Sequence, residues 1–476
     1  MSAGSASSLA ILALAGRRTA AIGLAPRTRT GFTVGPFAPR LQNAGAAATY
    51  RVLTTPHRTG ASMRKIVVLG SGFAGYHAAR TLEDALLSRS RVKLTLISDQ
   101  SSFVFSPLLY NVASDELDPG HITTPLDEAF DASTEVLVAR VERIDLARRV
   151  LVTDRGEVDF DYVILAPGTA RDEQAFEGAD RALTPDSVRR AVEIRDRLAG
   201  LFEFGDQSPW RFAVVGASTD GVEWCAELAS AIEDVRARNP ELDRPVEISL
   251  IETRDRVLAD HSDEMSTIAT RYLEHLGVRL HTGRQVVAWG DEGLRLDDGT
   301  AIDAAHVFHL AGRRGHTWVA EAGLPVDALG RLKVEATLQV EGHRRIYAVG
   351  DAAAVPGTSP RNAQVAMQAG RQAAQNLLAD LVGRARRPFV YEDRGDFVTL
   401  GRANAALDLL GRAFEGRAAW LAYRLYFTAL MPQAFQKALL LMDWIALRAS
   451  RPDWDQRPAA LESDALKTSP TDRTAK

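Results

Sequence analysis

The chain has 476 residues, 46% of them hydrophobic and 25% charged, an ordinary globular composition with length enough for two or three domains. Its 57 Lys and Arg against 61 Asp and Glu leave a net charge of -4, so no global field draws it to nucleic acid, and any contact with a membrane or an anion must be local. The single cysteine, Cys225, excludes an internal disulfide, a Cys-x-x-Cys redox pair and a cysteine-rich metal site.

The first sixty residues differ from the rest. They are rich in Ala, Thr, Ser, Gly and Arg, and no Asp or Glu occurs before Glu83. The apolar run Leu9 to Ala15 is too short to span a bilayer. Two readings stand. An Arg-rich, acid-free leader resembles an organelle transit peptide. Alternatively Met63, directly before the first strand, is the true start, and the upstream residues come from a misplaced start codon in a GC-rich bacterial gene. The Ala- and Arg-heavy composition favours the second. Either way residues 1–62 are expected to be disordered.

The first strong motif follows. Ile66 to Leu69 is an apolar, β-branched run that reads as a buried parallel strand. It leads into Gly70-Ser71-Gly72-Phe73-Ala74-Gly75 and then a helical pattern to about Leu87. This is G-x-G-x-x-G in its required context of strand, turn and helix. Gly70 permits the turn, Gly72 lets a pyrophosphate approach the backbone, and Gly75 lets helix pack on strand. The helix N-terminus offers free N–H groups and positive partial charge to phosphates. A second strand, Val92 to Ile97, ends at Ser98-Asp99, where a carboxylate would accept hydrogen bonds from an adenosine ribose. Further on, Phe160 to Thr169 reads as a strand entering the tight turn Ala166-Pro167-Gly168.

A second such unit begins at Arg211. The strand Phe212 to Val215 runs into Gly216-Ala217-Ser218-Thr219-Asp220-Gly221 and a helix carrying Glu223 and Cys225. Ser218 occupies the middle glycine position, where its side chain crowds a pyrophosphate or donates a hydrogen bond to it. The next strand, Val246 to Ile251, closes on Glu252. A carboxylate there suits a free ribose 2′-hydroxyl and repels a 2′-phosphate, which favours NAD over NADP. His275 and His281 flank a turn and read as surface or core residues, and no cluster at metal spacing is seen, so no metal is expected. Arg345 to Ala352 is a strand ending in Gly350-Asp351. Gln364 and Gln368 stand at i and i+4 on a helix and share a face, which by spacing alone is an ordinary polar face.

From Arg417 to Arg448, Trp420, Leu421, Tyr423, Tyr426, Phe427, Leu430 and Met431 recur at helical spacing. Pro432 interrupts, and Phe435, Leu439, Leu440, Met442, Trp444, Ile445 and Leu447 resume. Arg417, Arg424, Lys437, Arg448 and Arg451 punctuate the pattern. No window is apolar enough for a spanning helix. Two amphipathic helices rich in Trp, Tyr and basic residues suit a membrane interface, with a packed helix pair or a homodimer interface as the alternative.

These motifs together resemble the flavoproteins with two dinucleotide-binding domains in the FAD-dependent pyridine nucleotide oxidoreductase superfamily. Within that group the chain looks like the type II, non-proton-pumping NADH:quinone oxidoreductases over roughly residues 64–448. Beyond the glycine loops, four stretches carry the likeness: Phe103 to Ala113, Gly221-Val222-Glu223 with Ala226-Glu227-Leu228, Ala363 to Gly370, and Tyr391 to Gly395 with Leu400-Gly401-Arg402 and Ala405. Ser218 and Pro167 depart from the family pattern. The resemblance implies an α/β fold of two Rossmann-like domains, an FAD domain with an inserted NADH domain, plus C-terminal amphipathic helices. Its expected boundaries are 63–205 and 326–415 for the FAD domain, 206–325 for the NADH domain, 416–451 for membrane-surface helices and 452–476 for a disordered tail.

By the same resemblance, non-covalent FAD is held by Gly70, Ser71, Gly72, Phe73, Ala74, Gly75, Asp99, Gly168, Gly350 and Asp351, with Asp351 on the ribityl chain. NADH, the substrate, lies on Gly216, Ser218, Gly221 and Glu252. Glu223 stands near nicotinamide and flavin, and Gln364 and Gln368 donate to the carbonyls of a quinone. The implied location is peripheral, on the cytoplasmic face of a bacterial inner membrane, or on the mitochondrial inner membrane if the leader is a transit peptide. Sulfide:quinone reductases that depend on paired cysteines do not fit a chain with one. The alternatives are an NADH-responsive interaction protein resembling apoptosis-inducing factor and a soluble NADH-dependent reductase of a protein acceptor.

Overall fold

The computed structural model describes residues 63–86, 91–204, 208–240, 244–357, 362–409 and 411–449. The expectations for the leader and the tail lie outside the described residues.

One sheet has five parallel strands, in the order Ile346–Ala348, Tyr162–Leu165, Arg64–Leu69, Val92–Ser98 and Thr134–Val138. Their β-branched and aliphatic runs are buried on both faces, as helices covering a parallel sheet require. Two of those helices are Phe73–Leu86, which follows the first glycine loop, and Ala363–Leu381, which carries both candidate glutamines. They pack so closely that a Cβ on Gly370 would run into the Ala74 carbonyl oxygen. The glutamine helix starts where Asn362 accepts the Val365 N–H at 2.9 Å, a side-chain cap on an otherwise orphaned donor.

A second sheet has four parallel strands, in the order Val278–Thr282, Val246–Glu252, Trp210–Val215 and His306–His309. In sequence it falls wholly between Tyr162–Leu165 and Ile346–Ala348 of the first sheet, so it is an insertion into the first domain. The chain crosses between the domains on an antiparallel ribbon, Ala170–Arg171 against Arg313–Arg314. Arg313 fastens it, donating from Nε to Thr169 Oγ1 at 3.0 Å and from Nη2 to the Thr169 carbonyl at 2.9 Å. Two Rossmann-like units, one within the other, are thus observed.

An antiparallel sheet of Asp396–Thr399, Ala405–Leu409 and Arg412–Glu415 follows, then the helices Arg417–Leu430 and Ala434–Ala449. They part at Met431-Pro432-Gln433, where Pro432 has no N–H to continue the ladder. Among the described residues no helix is long and apolar enough to cross a membrane.

The faces of these helices are not as the sequence suggests. Apart from Phe435, their aromatic residues turn inward: Tyr423 and Trp444 are buried, Tyr426 stacks on Phe397 at 5.0 Å, and Phe427 meets Tyr423 at 4.4 Å between ring centres. Arg424 is buried too, paired with Glu116 at 3.1 Å, so it does not face outward as a headgroup contact. Burial of large rings against the domain removes more apolar surface from water than an exposed aromatic belt would. The outward stripe is mostly aliphatic: Leu421, Leu425, Phe435, Leu441, Met442 and Ile445 are exposed.

Candidate functional site

The two glycine loops are built alike. Gly70 and Gly216 take φ +98° and +103°, a region that a side chain rarely enters, and so turn the chain sharply off the strand. A Cβ on Gly75 would strike the Gly70 carbonyl, and one on Gly221 would strike the Gly216 carbonyl, which explains the last glycine of each loop. Nothing lies within 4 Å of the place where a Cβ would stand on Gly72. The middle of the first loop is therefore open on the side where a pyrophosphate would lie, and Gly168 opens on free space in the same way. Phe73 and Ala74, on the first turn, are buried, and Gly350 packs on Ala74, which sets Asp351 beside that turn. These features fit the pyrophosphate of FAD.

Strand register shows which residues are equivalent. Leu69 pairs with Ile97, as Val215 pairs with Ile251, so Ser98 stands where Glu252 stands in the second site. Glu252 receives the Ala217 N–H on Oε2 at 2.7 Å, and on Oε1 the Arg254 N–H and the Thr253 hydroxyl, each at 3.0 Å. In the first site Ser98 Oγ lies 2.7 Å from Ser71 Oγ and accepts the Gln100 N–H at 3.1 Å. Asp99 is one residue further on and exposed. Ser98 was missed in the sequence because a strand end is legible only to within a residue or two. Ser218 caps the second helix with extended backbone, and its side chain makes no capping bond.

The candidate catalytic residues converge on one segment, Glu392–Thr399. Gln368 clamps it with both ends of its amide, donating to the Glu392 carbonyl at 2.9 Å and accepting the Glu392 N–H at 3.0 Å. Gln364, buried, donates to the Gly395 carbonyl at 2.8 Å, while its own Oε1 has no partner. Glu223, reaching from the second-loop helix Thr219–Arg238, accepts the Thr399 N–H at 2.9 Å. The glutamine helix and the second-loop helix are thus stitched to opposite ends of one short stretch. Gln368 has a structural task that helical spacing alone does not disclose.

Glu223 is 6% exposed, and burial pushes its carboxyl up to about 8; the Thr399 N–H opposes the rise and Asp220 adds to it. One helical turn on, Glu227 is pushed well up by burial and by Glu116, against the pull of Arg424. Asn111 donates to Glu116 at 2.5 Å, and the Arg424 guanidinium lies over Trp420 at 3.7 Å and Trp444 at 4.9 Å. Leu108, Thr399 and Tyr423 complete the lining of this small cavity. Tyr110 is raised by burial and by Asp220 and Glu223. Of these, Glu227 and Tyr110 fall in stretches that carry the family likeness, nothing local marks Glu116, and Arg424 stands out in the sequence only as a basic residue of the helical pattern. Cys225 is buried with its thiol pushed up, an inert core residue.

A family model described as pyridine nucleotide-disulphide oxidoreductase matches residues 64–370. The chain is 29% identical over 411 residues to the type II NADH:quinone oxidoreductase Ndh of Mycobacterium tuberculosis, covering 80% of this chain and 87% of that one. With NdhA of the same organism it shares 30% over 392 residues, covering 75% and 82%. It is also 26% identical over 372 residues to the type II enzyme of Staphylococcus epidermidis, covering 75% and 92%. Among solved structures, NDH2 of Plasmodium falciparum in complex with NADH superposes with a TM-score of 0.75 at 17% identity, over 83% of this chain and 100% of that one. The sulfide:quinone oxidoreductase of Aquifex aeolicus has the same fold, with a TM-score of 0.65 at 17% identity over 83% and 99%. With two glycine loops, a buried carboxylate on the helix after the second and relatives of this kind along most of its length, the chain belongs to the pyridine nucleotide-disulphide oxidoreductase family and, within it, to the FAD-dependent type II NADH:quinone oxidoreductases.

Proposed function

We propose that the protein oxidises NADH and delivers the electrons to a membrane quinone without pumping protons. FAD lies on the Gly70–Gly75 loop with Gly168, Gly350 and Asp351, and NADH on the Gly216–Gly221 loop with Glu252. The observation that carries this reading is the convergence of Glu223, Gln364 and Gln368 on Glu392–Thr399. When bound, FAD supplies an acceptor that takes a hydride from nicotinamide and gives the electrons up to a quinone.

The chain's own part is to bind, orient and hold protons. Quinone reduction takes up two protons for two electrons, and the hydride brings only one. Glu223, protonated at neutral pH because burial disfavours its charge, holds a proton beside the proposed nicotinamide position. Gln364 spends one amide N–H on the Gly395 carbonyl and offers its second N–H to a quinone carbonyl without placing a charge in an apolar pocket. Gln368 keeps Glu392–Gly395 in place, so that the wall of the pocket is fixed before substrate arrives.

The exposed stripe of Leu421, Leu425, Phe435, Met442 and Ile445 supports peripheral docking to a lipid surface, which would give the site access to a long-tailed quinone. Glu252 supports NADH over NADPH. The function is tested by anaerobic reduction of the protein with NADH, followed by a short-chain quinone. Bleaching of the flavin by NADH and its prompt return on adding quinone are expected. Flavin that stays reduced in the presence of quinone would instead mark an NADH-responsive interaction protein.

A further inference from the structure

Arg254 lies two residues beyond Glu252, the carboxylate that in the reading above receives the ribose of NADH. Its Nε stands 3.9 Å from Glu252 Oε1, so its guanidinium lies beside the proposed position of the ribose 2′-hydroxyl. A phosphate on that hydroxyl would meet a group whose planar fork suits a phosphate with two parallel hydrogen bonds. Those two N–H groups are already taken. Arg254 Nη1 donates to Asp260 Oδ1 at 2.6 Å and Nη2 to Asp260 Oδ2 at 2.8 Å.

The backbones on both sides of this pair are fixed. The Arg254 carbonyl accepts the Gly283 N–H at 2.7 Å, and the turn bearing Asp260 is tied to the glycine loop where Leu258 N donates to the Ala217 carbonyl at 2.8 Å. The side chains, by contrast, are 45% and 65% exposed, so the pair is a surface latch and not a buried strut. Exposed ion pairs contribute little to stability. Its effect therefore falls on what Arg254 can bind.

We infer that Asp260 is a specificity-determining residue: by holding Arg254 in a bidentate pair it withholds a guanidinium from a nucleotide 2′-phosphate, and so reinforces Glu252 in selecting NADH over NADPH. This rests on the NADH-site reading, and the two fail differently.

The test uses the FAD-loaded enzyme as wild type, Asp260→Ala, Asp260→Asn, Arg254→Ala and the double variant Asp260→Ala/Arg254→Ala. Steady-state kinetics with NADH and NADPH are paired with calorimetric titration of adenosine 2′,5′-bisphosphate, which reports binding without turnover. Asp260→Ala is expected to lower KM for NADPH and to tighten the bisphosphate on the order of tenfold. Its kcat with NADPH should barely move, because a contact remote from the reacting carbon binds ground and transition states alike. Asp260→Asn should shift both in the same direction by less, and the double variant should lose the gain. Unchanged KM and unchanged bisphosphate affinity in Asp260→Ala overturn the proposal, as does a gain that survives removal of Arg254. Glu252→Ala separates the two claims. A wild-type KM for NADH in that variant sinks the site reading, whereas a raised KM there with no gain in Asp260→Ala sinks the latch alone.

Discussion

Glu223 and Arg424 are both buried ionisable groups, and each is held for a different purpose. Thr399 hydrogen-bonds Glu223, yet burial pushes its carboxyl from 4.5 to about 8, so it carries a proton at neutral pH. If that proton serves turnover, kcat/KM should fall as pH rises through about 8, and Glu223→Gln should lose this limb. The sign for stability is also fixed. Between 4.5 and about 8 the folded state binds more protons than the unfolded one, so stability falls as pH rises across that window. Chemical denaturation below and above the window should show this slope in wild type and a flatter one in Glu223→Gln. Arg424 instead neutralises Glu116, each side chain being 6% exposed. Arg424→Met would strand a buried carboxylate and is expected to cost about 3–5 kcal/mol, part of it recovered when Glu116→Gln is added. Denaturation midpoints of the single and double variants measure this. The family resemblance singled out Glu223, on the helix that follows the second glycine loop. The sequence could not show the Glu116–Arg424 pair, whose members are 308 positions apart and carry no shared pattern.

At the scale of elements, helical spacing located both C-terminal helices and their break at Pro432, but not the face each turns to the domain. A stripe of aromatics is equally periodic whether it meets lipid or protein. Contact with Phe397, Phe105 and the Glu116 cluster decides the matter inward. Removing everything after Gly416 would delete the buried Tyr423 and Trp444, uncover partners such as Phe105 and Phe397, and so confound lipid binding with folding. Substitutions on the outward stripe are cleaner. A fully buried aliphatic side chain gains about 1.5–3 kcal/mol over an exposed one. The triple variant Leu421→Ser/Leu425→Ser/Ile445→Ser should therefore lower liposome binding by at least about tenfold while keeping its flavin. Flotation with anionic vesicles checks it, and undiminished flotation of the triple variant would rule out this face as the docking surface. The same limit of local pattern explains Gln368. Spacing put it beside Gln364, but its amide is committed to the Glu392 backbone, a partner on another element.

Across the whole molecule the architecture was legible because its signals are local: a buried strand, a glycine turn and a helix, written twice, with the second copy interrupting the first. The wall on which the candidate residues meet was not, since it forms only when the glutamine helix, the second-loop helix and Glu392–Thr399 come together from three parts of the chain. In the proposed reaction hydride enters from NADH and electrons leave to quinone past Gln364. Anaerobic stopped-flow on Gln364→Leu tests it most directly, following flavin absorbance first on mixing with NADH and then on mixing the reduced protein with a quinone. Flavin reduction by NADH should stay near the wild-type rate while reoxidation by quinone slows by on the order of tenfold or more, the loss expected from one well-placed hydrogen-bond donor. A variant slowed only in the NADH half-reaction, or in neither, would contradict the assignment.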